Sequence, residues 1–479
     1  MVAPSHGEPT SARDGSSSNT TAQVMRSPSA AALPEAEARS LPAAYPPLSE
    51  ARWALVVFAL SLLVNLLDRG IINLLVEPIK RTLQLSDIQV SLLMGFAFVV
   101  FYVLLGFPLA SLADSRSRRT IVGVGLFCWS AMTALCGVAQ NFWSFFFCRV
   151  GVGVGEACTG PATLSMLADF FPPAKLTRAI AFMSFGAIAG IGLAQVIGAG
   201  VVQALQGVPD FQVALIGTIH NWQMVFFAVG LPGLAIAALM FTVAEPPRRG
   251  RIRSGASATG VGWSSVARFV FAHRRCYVPM FCALGTSTII HSGTVAWSIA
   301  FYQRTYGWTP VHTGYVLGLV GVLTSPVGLM LGAWFAERSA ARGFDDANMR
   351  VAAWASTLAI PWSALGPLMP SPGLAVAMAA VSNVVVASVG APMSAALQIV
   401  TPNEMRGRVT ALYLFTANVL GTGIGPTAIA LLTDVVFHDE GKLRYALVVA
   451  ALLAWVPAAC YWYVRGHYRE AVIRAKRWQ

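Results

Sequence analysis

Twelve apolar stretches, each about long enough to cross a bilayer, divide residues 52 to 467 of this chain. A hydrocarbon core of ~30 Å requires ~20 apolar residues for each helical crossing, so the pattern predicts an all-α polytopic membrane protein. With 56% hydrophobic and 11% charged residues, a chain of 479 residues has too little polar surface for a water-soluble globule. The predicted spans are 52–75, 88–112, 119–139, 142–168, 178–205, 221–243, 276–303, 310–335, 350–369, 373–399, 409–435 and 444–466.

The distribution of positive charge orients these spans. Most of the 33 Lys and Arg residues lie in the N-terminal tail, the even-numbered connections and the C-terminal tail. Because basic loops stay on the cytoplasmic side, both termini are expected in the cytoplasm. The net charge of +12 then belongs to loops that face anionic headgroups, so no nucleic-acid partner is expected. The excess of Arg over Lys indicates a bacterial protein, and the plasma membrane, here the bacterial inner membrane, is its expected location.

Several classes of protein are not predicted. All seven Cys residues fall inside predicted spans without a CxxC pair, so neither a disulfide framework nor a zinc site is expected. The sequence has no GxxxxGK[ST], HExxH or GxSxG motif, so nucleotide-powered pumping and hydrolase chemistry are not indicated. We therefore expect no enzymatic activity, no metal and no cofactor.

The longest cytoplasmic connection separates six spans from six. Residues 1–50 are rich in Ser, Ala, Pro and Glu without a continuous apolar run, which predicts a disordered tail and not a signal peptide. The expected domains are a cytoplasmic tail (1–50), an N-terminal bundle (51–245), a cytoplasmic linker (246–275), a C-terminal bundle (276–467) and a second cytoplasmic tail (468–479).

The two halves carry matching positions. At an offset of 223 residues Ser86 and Gly95 fall on Thr309 and Gly318, and at an offset of 230 Pro172 falls on Pro402. This predicts two pseudo-symmetric six-helix bundles. Parallel repeats of this kind suit a carrier in which one bundle rocks against the other around a midplane site.

One cytoplasmic connection carries a recognisable pattern. Residues 110–119, ASLADSRSRR, resemble the signature loop of the major facilitator superfamily; Asp114, Arg118 and Arg119 match it, while three small residues depart from it. A carboxylate at one helix end beside the start of another can hold the cytoplasmic face closed by charge pairing. A solvated loop that only sets topology is the alternative. The predicted gating residues are these three and their counterparts in the second half, Glu337 and Arg338.

Longer stretches resemble the spinster branch of that superfamily. They are LLDRGIINLL (66–75), the entry into the second span from Ile79-Lys80 to Ser86-Asp87, RVGVGVGEA (149–157) and RGRVTALYLFTANVLGTGIGP (406–426). The resemblance implies the major facilitator fold and a secondary transporter, and the best-known members of the branch move lysolipids or sphingoid lipids. It also implies functional roles for the Asp-Arg pair in the first span and the Arg and Glu of the fourth.

Those four charges lie deep in the predicted spans, where each costs at least ~2.5–3.5 kcal/mol to insert. They are Asp68, Arg69, Arg149 and Glu156. Seven residues separate Arg149 from Glu156, so both project from one helix face. Glu156, if it lies in an apolar cavity without a cation, is the better proton carrier, and Arg149 the better anion holder. A permanent ion-pair network that only joins spans 1 and 4 is the alternative.

The second half lacks this pair, because the repeat places Ala379 and Val386 at the positions of Arg149 and Glu156. It places His291, with Ser and Thr neighbours, at the position of Asp68. We therefore expect a lopsided cavity, charged on one bundle and lined by hydroxyls, His291 and aromatics on the other. A helix-packing role for His291 is the alternative.

The leading hypothesis is a monomeric secondary active transporter in which protonation of Glu156 or Asp68 biases alternating access. Its expected partners are protons, membrane lipids and an amphiphilic or anionic organic solute, lysolipid-like or sphingoid-like by resemblance. A small-molecule or drug efflux carrier is the alternative, followed by a non-transporting receptor or scaffold; an intramembrane enzyme has least support.

Overall fold

The computed structural model describes residues 45–157, 159–214, 217–248 and 262–475, and these residues are almost wholly helical. Most of the predicted N-terminal tail and the first part of the predicted linker lie outside the described residues. The second part of that linker contains a helix, Trp263–Ala272, which the sequence patterns did not predict.

The first half begins with α1 (Leu48–Leu74) and the short α2 (Val76–Leu83). The next crossing combines α3 (Asp87–Ser91), a π-helical turn (Leu92–Phe96) and α4 (Ala97–Ser115). The remaining helices are α5 (Arg118–Cys136), α6 (Phe142–Glu156), α7 (Thr159–Phe170), α8 (Pro173–Leu205) and α9 (Asn221–Met240). A short antiparallel hairpin, β1 (Phe211–Val213) with β2 (Gly217–Ile219), joins α8 to α9 and pairs Phe211 with Ile219.

The second half begins with α10 (Trp263–Ala272), α11 (Arg274–Tyr306), α12 (Pro310–Ala341) and α13 (Ala347–Leu365). A 3₁₀ turn (Gly366–Leu368) leads to α14 (Pro372–Ala387) and α15 (Gly390–Ile399). The following crossing alternates α16 (Asn403–Thr416), a π-helix (Ala417–Ile424), α17 (Gly425–Leu431) and a second π-helix (Leu432–Phe437). The chain ends with a 3₁₀ turn (Glu440–Lys442), α18 (Leu443–Leu452) and α19 (Trp455–Ala475).

Nine helical segments of the described chain are long and apolar enough to cross a membrane. They begin at Leu48, Asp87, Arg118, Pro173, Asn221, Pro310, Pro372, Asn403 and Glu440. The α6–α7 pair, α11 and α13 fall outside that criterion, and α11 carries the Ser, Thr and His residues that lower its hydropathy. The count of twelve crossings therefore stays a prediction.

The residues at which helices begin agree with the proposed repeat of the two halves. Ser86 and Thr309, which the offset of 223 matches, are both N-caps, and their hydroxyls accept hydrogen bonds from the backbone N–H of Gln89 and His312. At the offset of 230, Pro172 and Pro402 stand at the N-cap positions of α8 and α16. Residues that the two offsets match therefore start helices in both halves.

Glycine residues lie where helices of the two halves contact each other. A methyl group at Gly192 in α8 would lie 2.5 Å from the carbonyl oxygen of Gly318 in α12, and one at Gly318 would lie 2.7 Å from that of Gly192. On the other side of the bundle, a methyl group at Gly95 would collide with the carbonyl of Thr422, where two π-helical segments touch. Small residues permit this close approach of backbones between helices.

Two ends of the molecule can be distinguished. At the terminal end, where α1 starts, Ala51 and Ala54 belong to the same core cluster as Phe170 and Met240. At the opposite end, here called the distal end, Leu74 at the end of α1 belongs to a cluster that includes residues of both halves. The distal end is therefore where the two bundles share a core.

Candidate functional site

A buried ion pair joins α1 to α6. Arg69 Nη2 lies 2.6 Å and Arg69 Nε 2.9 Å from Glu156 Oε2. The Glu156 side chain is 1% exposed, whereas that of Arg69 is 30% exposed, so the pair is reachable from the arginine side. The guanidinium of Arg69 also lies over the rings of Phe98 and Tyr102, 4.4 Å and 5.7 Å from their centroids.

A second pair lies beside the first. Arg149 Nη1 lies 3.5 Å from Asp68 Oδ2, and both side chains are 1% exposed. The Thr133 hydroxyl donates to Asp68 Oδ1 at 2.7 Å, and Arg149 Nε donates to the carbonyl of Leu93 at 3.3 Å. Both charges therefore have hydrogen-bond partners besides each other, as buried charges require.

Glycines in the sequence RVGVGVGEA position α6. A methyl group at Gly155 would lie 2.6 Å from the backbone nitrogen of Trp129 in α5, and one at Gly153 would collide with the carbonyl of Phe98 in α4. Because side chains at these positions would push the neighbouring helices away, the glycines bring the α6 backbone close to α4 and α5. Arg149 and Glu156 thereby meet successive residues of α1.

The condition under which Glu156 was expected to be the better proton carrier, an apolar cavity without a cation, is not met. Arg69, which follows Asp68 directly, contacts Glu156, so each carboxylate has its own arginine. Sequence spacing could not assign partners, because two acids and two bases within reach of each other allow two pairings. The expected shared face of Arg149 and Glu156 is confirmed, since both contact consecutive residues of α1.

His291 lies in the middle of α11 and is exposed. Among the residues that the structure describes, its ring has no hydrogen bond or ion pair, and it does not contact the two pairs just described. The close contact that a methyl group at Gly293 would make with the carbonyl of Gly425 locates the packed face of α11 toward the π-helical crossing.

The predicted gating residues of the first half bind within that half. Arg118 is buried, and its Nη1 donates to Asp169 Oδ2 at 2.5 Å while its Nε donates to Glu245 Oε1 at 3.2 Å. The backbone N–H of Arg119 donates to Glu245 Oε2 at 2.8 Å. The side chain of Asp114 lies outside the described part of the structure.

Glu245 is the carboxylate that joins Arg118 and Arg119. Burial raises its pKa, but hydrogen bonds from the Arg119 backbone N–H, the Ser117 hydroxyl and Arg118 outweigh that effect, so its pKa lies below the ordinary glutamate value. In the second half, Glu337 and Arg338 are exposed, and Arg338 lies over the Trp334 ring. The structure does not bring these two residues to Arg118 or Arg119.

A cluster of charges at the distal end was not predicted as a site. Arg304 of α11 contacts Glu77 (2.7 Å) and Asp87 (2.7 Å) of the first half, and Lys80 contacts both Asp87 and, at 2.5 Å, Glu440 of the second half. We call Glu77, Lys80, Asp87, Arg304 and Glu440 the distal cluster. Lys80 and Asp87 fall in a stretch that resembles the spinster branch. That resemblance does not reveal partners more than 200 residues away.

The acidic members of the distal cluster do not form a cation site. Asp87, Asp434 and Glu440 could bring carboxylate oxygens within 4.8 Å of one another. However, Asp87 already accepts from Lys80, from Arg304 and from the Thr433 hydroxyl, and Asp434 accepts from the backbone N–H of Ile88. The positive charges that these oxygens need are supplied by side chains.

A family model described as Major Facilitator Superfamily matches residues 58–426. The chain belongs to the major facilitator superfamily. Its membership makes it a membrane transport protein and a multi-pass protein of the inner or plasma membrane, as the apolar helices also indicate.

Individual relatives refine this assignment. The chain is 29% identical over 444 residues to an MFS-type efflux pump of Mycolicibacterium smegmatis, covering 89% of this chain and 95% of the relative. It is 25% identical over 437 residues to Protein spinster homolog 1 of Xenopus laevis, covering 83% of this chain and 77% of the relative. The predicted resemblance to the spinster-like branch is thus confirmed.

The fold also matches a solved structure. A bacterial homologue of the human lysosomal transporter spinster, in an inward-facing and unoccupied conformation, superposes with a TM-score of 0.77 at 21% identity. The match covers 90% of this chain and 99% of the other. This likeness establishes the major facilitator fold for the described residues.

Proposed function

We propose that this protein is a secondary active transporter that works by alternating access, with proton coupling at the Arg69–Glu156 pair. The observation that carries the proposal is this pair: a wholly buried carboxylate bound to an arginine that is itself 30% exposed. Ionisable groups at membrane depth are costly and usually serve a transport pathway. The proposed topology has both termini in the cytoplasm, so the distal end faces outward.

The contacts between the halves support an inward-facing state. Within the described residues, every ion pair that joins the two halves belongs to the distal cluster. The hydroxyl of Tyr315 in α12 also donates to Gln203 in α8 at 2.8 Å, again toward the distal end. A carrier closed outside and open inside has this distribution of contacts.

The coupling follows from competition for one guanidinium. While Glu156 is ionised, it neutralises Arg69. When Glu156 takes a proton, Arg69 keeps its charge without a counter-ion and attracts an anionic group of the substrate. Proton binding and anion binding therefore favour each other. Asp68 and Arg149 form a second pair, and its geometry holds the Arg69–Glu156 pair in place.

The chemistry around Arg69 suits an amphiphilic or anionic organic solute. Phe98 and Tyr102 provide an aromatic surface beside the guanidinium, and exposed His291 with Thr288 offers polar groups on the opposite half. A phosphate or carboxylate would bind Arg69, and an apolar chain would lie against the rings. A lysolipid or sphingoid-like cargo fits this description, and we propose that the transporter acts as a monomer.

A second candidate is efflux of small molecules. The similarity to the mycobacterial efflux pump over nearly the whole chain favours it. Both candidates use the same site and differ in cargo and direction.

The test is flux in sealed proteoliposomes with an imposed pH gradient, using radiolabelled lysophosphatidylglycerol, a phosphorylated sphingoid base and ethidium as probes. Gradient-dependent movement of the first two supports the leading proposal, and movement of ethidium alone supports efflux. Flux of all three equal to that of protein-free vesicles would contradict transport of either class.

The terminal end supplies the other gate in this proposal. In the outward-facing state, Asp114, Arg118 and Arg119 would approach Glu337 and Arg338, because both groups stand at the terminal ends of their halves. Exposure of Glu337 and Arg338 in the present conformation agrees with an open gate.

A further inference from the structure

A basic cavity lies at the terminal end of the second half, away from the Arg69 site. It occupies about 450 Å³ between the turn that precedes α13 and the last turns of α19. The side chains that matter for its chemistry are Phe344, Asp346, Arg350, Trp462, Arg465 and Arg469.

The cavity holds more positive than negative charge. Three arginines line it, against the two carboxylates of Asp345 and Asp346. Asp346 is shared, since Arg465 Nε lies 2.7 Å and Arg350 Nη2 3.3 Å from it. Because two arginines share one carboxylate, one positive charge is left to attract an anion.

Two arginines of the cavity are incompletely paired. The Nε of Arg350 is buried and, among the residues that the structure describes, has no hydrogen-bond acceptor. Arg469 is 72% exposed, and its Nε lies 3.5 Å from Asp345, which is a weak contact. Both groups prefer phosphate oxygens, which guanidinium binds in a fork geometry.

The cavity opens beside an apolar, exposed surface. Trp462 of the cavity contacts Trp354 of α13 edge to face, with ring centroids 5.1 Å apart. Trp354 is 53% exposed, and Leu358, one turn further along α13, is 51% exposed. Tryptophan marks the boundary between headgroups and acyl chains, so this order of residues runs from headgroup depth into the hydrocarbon core.

We propose that this cavity binds the headgroup of an anionic phospholipid whose acyl chain lies along the exposed face of α13. The phosphodiester contacts Arg469 and Arg465, Arg350 adds its positive charge beside them, and the chain passes Trp354 and Leu358. Basic pockets between membrane helices bind anionic headgroups by the same chemistry. The proposal is independent of the transported substrate, because the groove lies within one half.

Native mass spectrometry of the full-length protein in detergent tests it, with dioleoyl phosphatidylglycerol, dioleoyl phosphatidylcholine and inorganic phosphate added in separate arms. Arg469→Gln is the diagnostic variant, because it leaves the Asp346 contacts of Arg350 and Arg465 in place. Arg342→Gln is the matched control, since Arg342 is an exposed arginine of the same turn that does not line the cavity.

Wild type and Arg342→Gln should retain phosphatidylglycerol in preference to phosphatidylcholine, and Arg469→Gln should bind it about fivefold more weakly. The double variant Arg465→Lys with Arg469→Gln should weaken it further while keeping one charge at position 465. Equal retention of both lipids, equal loss in the control, or displacement of phosphatidylglycerol by millimolar phosphate would each overturn the proposal.

Discussion

Arg69 donates through both Nε and Nη2 to a single oxygen of Glu156, Oε2. The other oxygen, Oε1, is buried and has no hydrogen bond of normal geometry among the described residues. A carboxylate bound to arginine usually uses both oxygens in a fork. Here one oxygen holds the cation. We propose that a proton binds at the second oxygen, on a carboxylate that Asn65 also contacts, without first displacing Arg69.

The buried Asp68–Arg149 pair should make stability depend on both partners. Removing one charge should destabilise the protein, and removing the other charge as well should restore most of the stability. Arg149→Gln leaves Asp68 buried without a counter-charge, so we expect the free energy of unfolding to fall by about 3–5 kcal/mol. Adding Asp68→Asn should recover most of that loss. Thermal melting of the purified protein at pH 7 measures both effects. Additive losses in the double variant would show that the two side chains do not depend on each other.

The distal cluster should resist opening. Arg304→Gln removes the contacts with Glu77 and Asp87, so the outward-closed state becomes less populated and its local structure opens more often. Hydrogen–deuterium exchange should rise several-fold in peptides covering 76–90 and 432–445. Arg342→Gln removes an exposed arginine elsewhere and should leave both peptides unchanged. No increase in Arg304→Gln would rule out a closing role for the cluster.

Gly192 should control the separation of the halves. Gly192→Ala introduces a methyl group against the Gly318 carbonyl, so we expect the distal ends to move apart by a few Å or the open population to grow. Spin labels at Gln206→Cys and His312→Cys, with the native cysteines replaced, report that distance by electron double resonance. Gly230→Ala is the matched control, because Gly230 packs within the first half. The same lengthening in both variants would contradict the prediction.

Glu245 predicts a pH-dependent contribution to stability. Its pKa is lowered in the folded protein, so its stabilising contacts are complete above the ordinary value of about 4.3 and are lost as pH falls through the lowered folded value. Glu245→Gln should cost about 1–3 kcal/mol at pH 7. The difference in melting temperature between Glu245→Gln and wild type should shrink below about pH 4. Glu470→Gln, an exposed control, should show no such trend, and a difference constant with pH would exclude this role.

The sequence predicted the membrane fold from features that act locally. Long apolar segments in a bilayer must be helical. Ser86, Thr309 and the two N-cap prolines stand where helices of the two halves begin. It also predicted which deep charges cluster, because Asp68 with Arg69 and Arg149 with Glu156 stand on adjoining helices. These results need only short-range patterns and the cost of charge in lipid.

The sequence could not predict which arginine pairs with which carboxylate, nor which charges of the two halves contact each other at the distal end. Which arginine binds Glu156 depends on the rotation of α1 against α6, and this rotation is set by the packing of the assembled helices. Arg304 meets Asp87 across 217 residues of sequence, and charges in polar connections resemble ordinary solvated residues until the bundles are assembled. Glu245 was missed for the same reason, since nothing local links it to Arg118.

Proton movement driven by substrate is the most direct test of the central claim. Proteoliposomes that contain the internal pH dye pyranine receive lysophosphatidylglycerol outside at equal internal and external pH. Wild type and the exposed control Glu470→Gln should acidify the interior as the anionic substrate enters with protons, and Glu156→Gln should give no acidification although it inserts and folds. Acidification by Glu156→Gln equal to that of wild type would contradict proton coupling at the Arg69–Glu156 pair.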